Sequence, residues 1–129
     1  MKDTTYTYHH DAGHGWLEVP FDDLIELDIA KEITPFSYVK KDTVFLEEDQ
    51  DMSTFFKAYR EKFGKKPEYT TEGDGDWIRD LRMYELRDFA IYLQEELYEL
   101  RKELDAPGLS TGQEVKISSE MFKISQYLK

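Results

Sequence analysis

The sequence contains no cysteine, which excludes disulfides, thiolate nucleophiles and zinc sites built on sulfur ligands. That absence fits a reducing compartment. No apolar run approaches the roughly 20 residues of a membrane span, and the opening MKDTTYTY lacks the apolar core of a secretory leader. A cytoplasmic protein with no membrane contact is the expectation. Positive charge is also scarce: 17 Lys and Arg stand against 28 Asp and Glu, giving a net charge of −11. Such a field repels nucleic-acid phosphates and attracts basic proteins. The residues that could offset it are Lys40 and Lys41, then Lys57, Arg60, Lys62, Lys65 and Lys66, then Arg79 and Arg82. Glu61 interrupts the middle group, so direct nucleic-acid binding is not expected.

What is present suffices for a core. At 129 residues the chain suits one domain, or one domain with an extension, and about two thirds of its extended surface can be buried. Apolar residues make up 40%, charged residues 35% and aromatics 15%, which is polar for a globular protein but not the composition of a disordered one.

Residues 4–10, TTYTYHH, read as a strand, and Trp16–Val19 as the strand that returns from a turn at Asp11–Gly13. FDDLIEL at 21–27 reads as a short helix. A second hairpin follows, with strands at Phe36–Val39 and Thr43–Leu46. Phe55, Phe56, Tyr59 and Phe63 lie at helical spacing, and Gly64 stands where a left-handed cap belongs. Glu68–Thr71 can form a strand. A long helix at about 85–104 carries Leu86, Phe89, Leu93, Leu97, Leu100 and Leu104 as one stripe, until DAPGLSTG breaks it. The tail reads as a short strand followed by a helix at about 119–128, capped by Ser118 or Ser119, with Met121, Ile124 and Leu128 inward. The fold class is therefore α+β: an antiparallel sheet of two hairpins packed by helices over residues 1–83, with a mostly helical extension over 84–129.

YTYHHDAGHGW, at 6–16, concentrates three histidines and an aspartate. With a three-residue loop at 11–13 and Gly13 left-handed, His10 and His14 would form a cross-strand pair and Tyr8 would face Trp16. Tyr6, Tyr8, His10, His14 and Trp16 would then share one face, with His9 on the other. The three imidazoles could not gather on one metal. Only His10, His14 and Asp11 could converge, as the candidate ligands of a metal-dependent hydrolase or nuclease. His10 or His14 could also move protons, with Asp74 or Asp76 as distant partners. A third reading is a small-ligand module that uses the aromatic face of Tyr8 and Trp16.

Glu47, Glu48, Asp49 and Asp51 precede a helix and suit its N-terminus, and the EGDGDW stretch reads as a loop. On the long helix Glu95, Glu99 and Glu103 follow at i, i+4 with Glu96 beside them, a spacing that costs a few tenths of a kcal/mol per pair. These carboxylates suit a basic partner. The far end of so long a helix could also meet a second copy.

Tyr8, His9, His10, Asp11, His14, Gly15, Trp16, Leu17, Glu18, Val19 and Pro20, with Leu46, Glu47, Glu48 and Asp49 downstream, form a distinctive string. It resembles a group of small uncharacterised proteins carried by phages and other bacterial mobile elements, over about residues 6–63. The resemblance implies a setting rather than a chemistry. Together with the charge and the lack of a catalytic set, it leads to an expectation of a non-enzymatic accessory protein without a cofactor. Such a protein would bind a basic host factor, of the defence or nucleic-acid-processing kind, through Tyr8, His10, His14, Trp16, Glu95, Glu96, Glu99 and Glu103.

Overall fold

A computed structural model describes residues 4–127, apart from the side chains of Leu86 and Tyr127. The fold is α+β. Six strands form one sheet: β1 Thr5–His10, β2 Gly15–Pro20, β3 Tyr38–Lys40, β4 Thr43–Glu47, β5 Glu68–Glu72 and β6 Arg82–Met83. Their order is β5-β1-β2-β4-β3-β6. All neighbours are antiparallel except the outer pair, where β5 runs parallel to β1 from Thr5↔Glu68 to His9↔Glu72. The helices are α1 Phe21–Glu26, α2 Asp51–Phe63, α3 Leu86–Leu104 and α4 Thr111–Tyr127. The chain divides at Leu86/Arg87 into two compact units.

Strands β2 and β4 lie inside the sheet and are buried on both faces, which is why GWLEV and TVFLE carry apolar residues without clean alternation. One face presents Leu17, Val19, Val44 and Leu46 with Tyr6. It is covered by α1, through Phe21 and Leu24, and by α2, whose Phe55 and Tyr59 rings meet Tyr6 at 5.3 and 6.3 Å. The opposite face presents Trp16 and Phe45. A 3₁₀ segment, Gly75–Asp80, lays Ile78 on them, with Tyr38 and Leu81 alongside.

Two acids hold the approach to α2. Glu47 accepts the N–H groups of Asp49 (2.9 Å) and Gln50 (3.0 Å). The buried carboxylate of Asp51 accepts from the Thr34 N–H (3.0 Å), the Thr34 hydroxyl (2.7 Å) and the Ser37 hydroxyl (2.5 Å), so its burial is compensated by hydrogen bonds. Gly64 ends α2 in the left-handed region at φ +74°, its N–H on the Arg60 carbonyl at 2.8 Å.

In the second unit α3 buries Phe89, Leu93 and Leu100 and half-buries Leu97 and Leu104, while Leu86 lies outside the described side chains. The tail corrects the sequence reading. VKIS is not a strand, because α4 runs unbroken from Thr111. Ser110 and Gln113 form a reciprocal cap: the Ser110 hydroxyl accepts the Gln113 N–H (3.2 Å), and Gln113 Oε1 accepts the Ser110 N–H (2.8 Å). Of the residues expected inward, Ile124 is buried, Met121 half-buried, and Leu128 lies outside the described residues.

Candidate functional site

The first hairpin turns through four residues, Asp11–His14, with His10 paired to Gly15, His9 to Trp16 and Tyr8 to Leu17. This corrects the three-residue loop and the His10–His14 pair. Gly13 is not left-handed. Asp11 instead builds the turn with its side chain, Oδ1 accepting the N–H groups of Gly13 (2.9 Å) and His14 (2.8 Å). One extra loop residue exchanges the faces of everything on the returning strand. Trp16 therefore shares a face with His9, not with Tyr8.

His9 is the imidazole that the fold buries, at 6% exposure. Its Nε2–H donates to Glu18 Oε1 at 2.8 Å, its Nδ1 lies 3.9 Å from a Glu72 oxygen, and the rings of Phe45 and Trp77 flank it at 5.9 and 5.5 Å. His10 is exposed and stacks against Tyr8 at 6.4 Å. His14 is exposed, donates through Nδ1 to the Gly13 carbonyl at 2.6 Å and meets the edge of Trp16 at 6.2 Å. The three histidines diverge.

Arg79, from the 3₁₀ segment, clamps the loop. Its Nε donates to Asp11 Oδ2 at 2.6 Å and its Nη2 to Oδ1 at 3.2 Å, and its guanidinium lies 5.4 Å from the centre of the Trp16 ring. The Arg79 hydrogen bond, followed by that from the Gly13 amide, holds the Asp11 carboxyl well below the usual carboxylate range. Asp11 accepts four hydrogen bonds, three on Oδ1 and one on Oδ2, which tie its carboxylate to the turn and to Arg79. Among the described residues there is no group of three or more His, Asp or Glu able to hold a metal ion.

An open cleft of about 620 Å³ lies between the hairpin loop and the 73–79 segment, and His10, Asp74, Asp76 and Arg79 line it. The fold thus brings Asp74 and Asp76 to His10 across some 64 residues of chain. Gly75 makes this approach possible, since a β-carbon there would lie 3.1 Å from the His10 backbone. The cleft lining includes no serine, threonine or lysine, and its arginine is committed to Asp11.

The expected Tyr8–Trp16 ligand face does not form. Trp16 is 2% exposed and lies on the other side of the sheet. The Tyr8 hydroxyl donates to Glu48 Oε2 at 2.5 Å, and burial and then this bond push it above the ordinary tyrosine range. On α3, Glu95, Glu99 and Glu103 are exposed and Glu96 is half-buried. Lys102 lies 3.4 Å from Glu99, and exposed Ile91 and Tyr98 flank the acids. Two of the basic residues considered for nucleic-acid contact pair with acids, Arg79 with Asp11 and Lys62 with Glu26 at 3.6 Å. No helix among the described residues is long and apolar enough to cross a membrane.

His9, Glu18 and Arg79 are residues that sequence reasoning did not place at the site. An aspartate opening a D-x-G-H loop is an Asx-turn signal, and it would have set the four-residue loop and the burial of His9. Nothing in the order of residues points from Asp11 to Arg79. The chain matches no family model, no curated protein and no solved structure.

Proposed function

We infer that the protein acts by binding another protein through carboxylate-rich surface, without chemistry of its own. In the phage or mobile-element setting that its opening string implies, the partner is a host factor with a basic face, of the defence or nucleic-acid-processing kind. The observation that carries this reading is the exposed row of Glu95, Glu99 and Glu103 on α3, with Lys102 on Glu99 as its cationic neighbour. Three carboxylates at i, i+4 weaken an isolated helix. Lysines or arginines on a partner reverse that term and speed encounter.

A second copy fits this row less well, because it would bring the same charges together. The apolar stripe of Phe89, Leu93 and Leu100 is already at most 8% exposed within the single chain. Asp11 is tied to the turn amides and to Arg79, and the cleft lining offers no serine, threonine or lysine as a nucleophile.

Affinity capture from host lysate, with Glu95, Glu99 and Glu103 changed together to Lys, tests the reading. A prey with a basic surface should be held by the wild type and released by the variant. Equal recovery of the same prey by both refutes it.

A further inference from the structure

Strand β5 is the outermost strand on its side of the sheet, and all five of its residues are exposed. Its inner edge is bonded in register to β1 along its whole length, so the strand is extended and free of bulges. Its outer edge presents backbone donors and acceptors that a further strand can pair with. The opposite edge of the sheet differs: β6 has two residues and offers little to pair with.

Edges are commonly protected by lysine, proline, a bulge or a covering helix. Within Glu68–Glu72 none of the residues is lysine or proline. What the strand carries is a charge pattern. Glu68, Thr70 and Glu72 share one face, and Tyr69 and Thr71 the other. Glu72 is weakly engaged, 3.9 Å from His9 with 65% of its side chain exposed. Tyr69 is 44% exposed and lies beside the rings of Phe56 (6.0 Å) and Tyr8 (5.9 Å), which makes an apolar ledge.

This pattern discriminates between occupants. A second copy pairing β5 to β5 antiparallel about Thr70 would set Glu68 opposite the other copy's Glu72 at both ends. Like charges directly opposite destabilise a strand pair. A foreign strand with Lys or Arg at positions i and i+4 inverts both terms. An apolar residue between them would meet Tyr69.

We propose that the free edge of β5 takes an extended basic segment of a partner protein as an added strand, read by Glu68 and Glu72 on one face and by Tyr69 on the other. This surface lies in the first unit and does not depend on the α3 acids.

The test is an NMR titration of the isotope-labelled full chain with the peptide acetyl-Thr-Lys-Val-Thr-Val-Lys-Thr-amide. Its palindromic core presents the same side chains in parallel and antiparallel pairing. Shift changes and new amide-exchange protection should be confined to β5 and β1. Changing Glu68 and Glu72 together to Lys should weaken binding on the order of tenfold, and circular dichroism checks that this surface variant is folded. A peptide N-methylated on every backbone amide keeps its charge, has no donor on either edge and should not bind. Reversing the charge of Glu95, Glu99 and Glu103 should leave the binding unchanged. The proposal is overturned by an absence of shifts at millimolar peptide, by equal binding of the methylated peptide, or by shifts centred on α3.

Discussion

Two aspartates in the first unit respond to acid in opposite senses, and both responses follow from what touches them. Arg79 and the turn amides hold the Asp11 carboxyl below its ordinary range. Its contribution to stability is complete above the unfolded aspartate value, near 4, and is lost as pH falls through the lower folded value. Asp23 is half-buried beside Tyr6 of β1, and desolvation raises its carboxyl in spite of the Tyr6 hydroxyl bond at 2.8 Å. Its ionised form is disfavoured in the folded chain, so its contribution is present below the unfolded value and is lost as pH rises through the raised folded value. Urea midpoints from pH 3 to 7 should show this. Asp11→Asn should flatten the acid limb and lower the midpoint at neutral pH. Asp23→Asn, which still accepts from Tyr6, should raise the midpoint at neutral pH. A shift of the same sign in both variants would contradict the assignment.

At the scale of elements, caps and turns decided what the sequence revealed. Helix α2 was legible because four aromatics repeat at helical spacing and Gly64 closes it, and the second hairpin because its turn is short. The parallel placement of β5 beside β1 was not legible, since it depends on contacts some 60 residues apart. The first hairpin was misread by one residue, and that single step moved His9 from a bystander to the core. In the tail, the β-branched content of VKIS outweighs a capping signal when the sequence is read alone. Ser110-Thr111-Gly112-Gln113 has the S-x-x-Q spacing of a capping box, and α4 starts there. Ser110→Ala should cost about 1 kcal/mol, and Ser110→Gly a few tenths, read as the loss of helical ellipticity in urea. Identical unfolding of Ser110→Ala and wild type would show that the pair contributes nothing.

For the molecule as a whole, a net charge of −11 is a source of self-repulsion in the folded state. Raising salt from about 0.01 M to about 0.1 M shortens the screening length from roughly 30 Å to roughly 10 Å. The melting temperature should rise by a few degrees over this range. A fall would mean that ion pairs such as Arg79–Asp11 and Lys62–Glu26 outweigh the repulsion. The same screening should weaken capture of a basic partner, so stability and affinity should move in opposite directions with salt.

The two tryptophans, Trp16 and Trp77, both belong to the sheet-bearing unit, one sealed under a guanidinium at 2% exposure and the other 41% exposed beside an imidazole. Indole emission therefore arises in the sheet-bearing unit, whereas far-ultraviolet ellipticity is weighted toward the two long helices of the other. The two optical signals therefore weight the two halves of this chain differently, with no label added.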